Sequence, residues 1–198
     1  MPLLIDSFAT PTLYEVKLTE YPDALCLDGS HASYYISESG DPKKWFIAFA
    51  GGGWCYGPNG TGQIIEDCYQ RSKTQYGSTK HDQRTLTFTE GVLSTNSENN
   101  FKDWKRVFLK YCDGTGHQGT RTNPIEYKGT KLYFRGHNIT VAQLDSLEKH
   151  HKLFSEATHV VVGGFSAGGL AAFTWVNYIK ERVKIGKVWG MPDSGIFL

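Results

Sequence analysis

This sequence predicts an α/β fold with a largely parallel sheet, on three observations. Compact apolar runs of strand length alternate with segments of helical periodicity. The strongest of these runs are apolar throughout, as strands covered on both faces are. Dense glycine clusters sit at the ends of two such runs, where the backbone must turn sharply or approach another group closely.

The elements follow in order. Residues 14–19 and 33–37 are early strands, with the turn Leu27-Asp28-Gly29-Ser30 between them. Residues 44–50 (KWFIAFA) form a buried strand that stops at three glycines, and residues 62–72 form a helix. Residues 106–111 (RVFLKY) are a strand ending at Cys112-Asp113-Gly114, and residues 132–135 are a short strand entering Gly136. Apolar residues at 141, 144, 147 and 154 predict an amphipathic helix over 141–154, with Thr140 as its N-cap. The β-branched strand 158–162 leads through Gly163 and Gly164 to Ser166, and a helix follows to about residue 180. Residues 187–189 are a last short strand before Met191-Pro192-Asp193-Ser194-Gly195. No repeat, low-complexity tract or linker interrupts the 198 residues, a length that suits one domain able to bury a core.

Composition narrows the function. Lys plus Arg is 21 and Asp plus Glu is 20, giving a net charge of +1. Without a basic stripe or an acidic block, nucleic acid is excluded as an expected partner. No run approaches the roughly 18 apolar residues of a membrane span. Residues 1–12 lack a basic n-region and a long apolar core, so no secretory signal is expected there. Cys26, Cys55, Cys68 and Cys112 allow three pairings, and two disulfides or four buried thiols satisfy their spacing equally. No CxxC pair implies zinc, and nothing implies an organic cofactor. Sequons at Asn59-Gly60-Thr61 and Asn138-Ile139-Thr140 lean towards an oxidising compartment.

Two segments carry chemistry. Gly164-Phe165-Ser166-Ala167-Gly168 is a G-x-S-x-G between a predicted strand and a predicted helix. In that context the serine is forced into a tight turn above the strand ends, over a helix N-terminus that favours negative charge. Gly51-Gly52-Gly53-Trp54 follows the 44–50 strand. Acyl transfer creates an oxyanion, which needs backbone N–H donors from a loop free of bulky side chains. Ala167, following the nucleophile, and Gly52 or Gly53 are the expected donors. Trp54, Tyr56 and Phe165 are candidates to line the substrate site, for sugar or for acyl chain. Neither glycine cluster completes a Walker motif or a G-x-G-x-x-G. A nucleophilic serine needs a base, yet all seven histidines (31, 81, 117, 137, 150, 151 and 159) precede Ser166. His150 and His151 belong to a solvated helix surface and His159 to the strand feeding the serine. His117, in a loop, is the one candidate base, and it would need to lie within hydrogen-bond reach of Ser166.

These residues resemble the pectin acetylesterases and their Notum-type carboxylesterase relatives. The shared segments include Cys26-Leu27-Asp28-Gly29-Ser30, Gly51-Gly52-Gly53-Trp54-Cys55, Arg71-Ser72-Lys73-Thr74, Tyr111-Cys112-Asp113-Gly114, Tyr133-Phe134-Arg135-Gly136, the Ser166 motif and Asp193-Ser194-Gly195 with Phe197-Leu198. The resemblance implies an α/β-hydrolase-like serine esterase, a monomer, that removes acetyl groups from pectin-like polysaccharide or acts on another acyl ester. It implies Ser166 as nucleophile and Gly52, Gly53 and Ala167 as oxyanion donors. It pairs Cys55 with Cys68 and Cys26 with Cys112, and implies secretion or an endomembrane lumen. The family's catalytic Asp and His lie beyond the segment matched by Asp193. The expectation is therefore one α/β-hydrolase-like domain over 1–198, incomplete at its C-terminus and lacking its acid and base. An inactive family member that binds carbohydrate or a partner is the alternative.

Overall fold

The computed structural model describes residues 12–56 and 64–196. Asn59-Gly60-Thr61, the first two residues of the predicted 62–72 helix, and Phe197-Leu198 lie outside the described residues. The strands are β1 (Thr12–Lys17), β2 (Ser33–Ser37), β3 (Asp41–Phe49), β4 (Thr85–Thr87), β5 (Trp104–Leu109), β6 (Ile125–Tyr127), β7 (Thr130–Leu132), β8 (His159–Phe165) and β9 (Lys187–Asp193). The helices are α1 (Ile64–Arg71), α2 (Gly136–His151), α3 (Leu153–Glu156) and α4 (Ala167–Arg182).

Seven strands form one sheet in the order β4-β1-β2-β5-β3-β8-β9, and β6 and β7 make a separate hairpin. The pairs β5–β3, β3–β8 and β8–β9 are parallel. The pairs β4–β1, β1–β2 and β2–β5 are antiparallel. The parallel half is built from the apolar runs seen in the sequence. Alternation along β3 sends Trp45, Ile47 and Phe49 to one face, where they pack with Leu144, Leu147, Ala171 and Trp175 from α2 and α4. It sends Phe46 and Ala48 to the other face, under Leu86, Phe88, Leu93 and Phe101. Each large side chain fully buried this way contributes about 1.5–3 kcal/mol before entropy is counted.

Several elements differ from the prediction: the strand predicted over 187–189 runs on to Asp193, and β4 and β6 lie where no strand is predicted. The helix predicted over 141–154 begins at Gly136, and Thr140 is buried inside it rather than capping it. Arg135 is the N-cap residue and supplies no side-chain capping bond. The Gly136 N–H donates instead to Asp113 Oδ2 at 2.7 Å. The helix ends where Lys152 turns left-handed at φ 61°, and a short α3 follows. Of the strand predicted over 132–135, only Leu132 is in a strand, as the last residue of β7.

Both disulfides pair as the resemblance implied. Cys26–Cys112 ties the turn before β2 to the end of β5, with Cα atoms 4.9 Å apart across a separation of 86 residues. Cys55–Cys68 ties the Gly51 loop to α1 across 13 residues. In the chain-entropy picture a loop of that shorter size is worth about 3 kcal/mol.

Candidate active site

The C-terminal ends of β3, β5 and β8 converge on one edge of the sheet, the edge where open α/β folds bind ligands. β3 delivers the loop 51–56, β5 delivers Tyr111, Cys112 and Asp113, and β8 delivers Ser166.

Ser166 has φ 57° and ψ −123°, a left-handed conformation for a residue with a side chain. It sits between β8 and α4, and its carbonyl accepts the first helical bond from the Leu170 N–H at 3.0 Å. Its own N–H donates to Asp193 O at 3.0 Å. The surrounding glycines let backbones touch. A Cβ on Gly168 would lie 2.1 Å from Phe49 O, and one on Gly169 would lie 2.3 Å from Asp193 O. A Cβ on Gly51 would strike Phe165 O at 2.4 Å, so the Gly51 loop lies directly against the serine turn.

That loop is held from its carbonyl side. Gly52 and Gly53 have φ of 132° and 62°. Arg71, the last residue of α1, donates from Nη1 to Gly52 O at 2.8 Å and from Nε to Tyr76 O at 3.2 Å. Its guanidinium lies 5.2 Å from the Tyr76 ring centre and 5.1 Å from that of Tyr111. A trans peptide points its N–H opposite to its carbonyl. Fixing Gly52 O on Arg71 therefore fixes the Gly53 N–H on the other side. Neither the Gly52 nor the Gly53 N–H donates to a backbone carbonyl among the described residues. Ala167 is buried at the first position of α4, where a helix N–H has no intrahelical acceptor.

His117 is buried behind this loop. Its Nε2 bonds Ala50 O at 2.9 Å, and its ring stacks on Tyr111 at 4.6 Å and meets Phe49 edge-on at 5.1 Å. Burial lowers its pKa to about 4, so the ring is neutral at pH 7. It steadies the residue preceding Gly51. Among the described residues no histidine hydrogen-bonds Ser166: His150 meets Glu20, His159 stacks on Trp189, and His137 lies against Trp175. Burial also raises the Tyr111 hydroxyl, which accepts from the Gly116 N–H at 2.7 Å.

Asp113 is the residue that sequence reasoning placed in a motif without a role. Its carboxylate accepts from the Gly136 and Thr115 N–H groups and from the Thr115 hydroxyl. A Cβ on Gly119 or Gly136 would lie 2.8 or 2.7 Å from that carboxylate, which explains both glycines. Burial raises its pKa against the pull of these donors.

The other predicted residues are spread around the site. Trp54 packs with Ala50, Tyr111 and Ala167. Phe165 is exposed at the end of β8, and Tyr56 is exposed with its N–H on Asp67 Oδ2 at 3.0 Å. Asp193 ends β9, where its carbonyl meets Ser166 and its carboxylate accepts from the Ser194 hydroxyl. Among the described residues no group of three metal-ligating side chains is placed to hold a metal, and no helix is long and apolar enough to cross a membrane.

Comparison with known proteins places this site in context. The pectinacetylesterase family profile matches residues 8–198. Pectin acetylesterase 5 of Arabidopsis thaliana is 34% identical over 181 residues, covering 88% of this chain and 40% of that protein. The palmitoleoyl-protein carboxylesterase NOTUM of Homo sapiens is 30% identical over 182 residues, covering 87% of this chain and 34% of that protein. A solved structure of the Wnt deacylase Notum from Drosophila superposes with a TM-score of 0.76 at 24% identity, over 94% of this chain and 54% of that one. That likeness shows the α/β-hydrolase fold. The chain thus spans about 40% or less of these curated relatives.

Proposed function

This chain belongs to the pectinacetylesterase family, and from that premise we propose that Ser166 is the nucleophile of a carboxylesterase that removes acetyl groups from pectin-like polysaccharide. The carrying observation is the φ of 57° at Ser166, on a strand-to-helix turn packed against a glycine loop. Ser166 Oγ attacks the acetyl carbonyl carbon and loses its proton to a base. The carbonyl oxygen becomes an oxyanion that the N–H groups of Gly52, Gly53 and Ala167 receive. Collapse breaks the bond to the sugar oxygen, which leaves as an alcohol after taking a proton. Water then attacks the acetyl-serine and releases acetate. The two disulfides fit an oxidising compartment.

Among the described residues no histidine is hydrogen-bonded to Ser166, and His117, the candidate base, is engaged by Ala50. Acid and base come from outside these residues, and this chain alone acylates slowly without turning over. Intact-mass and peptide analysis after exposure to p-nitrophenyl acetate tests this. The expected result is one acetyl group on Ser166, absent in Ser166→Ala, with steady-state hydrolysis no faster than that variant's. Acetylation that ignores Ser166 overturns the esterase reading. Fast Ser166-dependent turnover overturns the absence of a base.

A further inference from the structure

A cavity of about 440 Å³ opens beside the Gly51 loop, within the roughly 300–1,000 Å³ usual for small-molecule sites. We propose that this cavity, walled by Tyr35, Tyr76, Asp82, Phe88, Phe108 and Lys110, holds a sugar ring of the alcohol part of the ester. The proposal rests on the carboxylesterase reading above and adds where the alcohol binds.

Position comes first. Ala50 and Gly51 line the cavity, and a Cβ added to Gly51 would lie 2.4 Å from Phe165 O and 3.5 Å from Ser166 Cβ. Tyr76 lines it as well, and the same ring packs against Gly52. A ring seated here lies against Gly51, which borders the serine turn, and against Tyr76, which borders Gly52.

The wall chemistry suits a polyol. Lys110 Nζ and Asp82 Oδ1 are 2.6 Å apart, with side chains only 12% and 4% exposed. Asp82 Oδ2 is buried and has no hydrogen-bond partner. An ammonium carries three donors, and Asp82 Oδ1 takes one of them. A hydroxyl both accepts and donates, so adjacent sugar hydroxyls can accept from Lys110 and donate to Asp82 together. An aliphatic acyl chain would leave both groups unmet, at a cost that buried charged groups make large. Lys110 and Asp82 offset each other's charge, which suits a neutral polyol. Around it the aromatic walls present rings. The Tyr35 hydroxyl is already spent on Gln83 O at 2.8 Å, and Phe88 and Phe108 meet at 5.6 Å. Tyr76 is 43% exposed and offers a face to the C–H side of a pyranose.

The test is an NMR-detected titration of the Ser166→Ala chain with a methyl-esterified, O-acetylated trigalacturonide, a neutral probe, and separately with decanoate. The expected result is amide shifts at Gly51, Tyr76, Lys110 and Tyr111 with the saccharide and none there with decanoate. Asp82→Asn and Tyr76→Ala should each raise Kd at least tenfold. Tyr76 is exposed, so its variant keeps the test valid if Asp82→Asn disturbs folding. Shifts elsewhere, a Kd within twofold in the folded variants, or decanoate in the same cavity overturns the proposal. Acetylation of the parent chain by p-nitrophenyl acetate, run in parallel, separates the failures. Ser166 acetylation without saccharide binding overturns the cavity alone, and loss of both overturns the esterase reading as well.

Discussion

The serine turn and Gly53 of the neighbouring loop both need glycine, but for opposite reasons. At the turn, Gly164, Gly168 and Gly169 are needed for space: an added Cβ on each would come within 2.3 Å of a backbone oxygen. At the loop, Gly53 has nothing within 4 Å of a would-be Cβ, and its need is conformational, at φ 62°. The turn is therefore held by interlocking backbones, while the loop beyond Gly51 is held by the Cys55–Cys68 disulfide and by side-chain bonds, from His117 to Ala50 O and from Arg71 to Gly52 O. The nucleophile is locked by packing, and its expected oxyanion donors are tethered by groups that can be removed singly.

The sharpest way to break this contrast is to add one methyl group on each side. Gly168→Ala puts a carbon 2.1 Å from Phe49 O and forces β3 and α4 apart. The expected loss is roughly 3 kcal/mol or more, about 10 °C in Tm for a domain of this size. Gly53→Ala meets no neighbour and should cost about 1 kcal/mol, the strain of a left-handed alanine. Thermal melts of the two variants decide it, and equal losses would show that the regions are held alike.

The next effect is a pH dependence lodged behind the loop. His117 is held neutral, with its pKa lowered by burial to about 4, whereas the unfolded side chain titrates near its ordinary value of about 6.5. Below pH 6.5 the unfolded state takes up a proton that the folded state refuses. Stability is thus full above about 6.5 and is lost as pH falls towards 4, by about 3 kcal/mol in total. Urea midpoints at pH 7 and pH 4.5 should show this fall, and His117→Gln, which retains a donor for Ala50 O, should flatten it. An unchanged slope would mean that other groups set the acid response.

How far the sequence revealed these regions depends on how local their causes are. Strands β3, β5 and β8 were legible because apolar runs announce buried strands. The serine turn was legible because the steric need for small residues is written into five consecutive positions. The start of α2 was not, because its donor is satisfied by Asp113, 23 residues away. A local reading therefore chose Thr140, whose hydroxyl type suits a cap but whose side chain is buried within the helix. Arg71 carried only a motif match, since nothing in a linear sequence says that the end of α1 reaches the Gly52 carbonyl.

Arg71→Met tests the loop's other tether. It keeps an unbranched stem but removes both hydrogen bonds and the contacts with Tyr76 and Tyr111. The Gly52 peptide is then free to rotate, and with it the Gly53 N–H. Stability should fall by about 2 kcal/mol, roughly 1 kcal/mol for each net hydrogen bond. Acetylation of Ser166 should slow about tenfold or more, since a misdirected oxyanion donor costs up to about a thousandfold. A parallel loss of stability and unchanged acetylation would reduce Arg71 to a packing residue.

The smallest effect concerns the rigid side. With φ 57° and ψ −123°, Ser166 occupies the mirror image of ordinary extended backbone, a region that glycine enters freely and other residues enter only when the surroundings force them. Such a residue carries about 1–3 kcal/mol of strain. Ser166→Gly releases it, against the roughly 0.5–1 kcal/mol that glycine's extra freedom in the unfolded chain costs. The net expectation is a protein about 1 kcal/mol more stable, near 2–4 °C in Tm, and unable to take an acetyl group at this position. Ser166→Ala is the control, because it removes the hydroxyl yet keeps the Cβ that makes the conformation costly, and its Tm should stay with the parent. If glycine and alanine melt alike, the turn imposes no strain on a side chain, and the case for a nucleophile held there by its surroundings loses its physical basis.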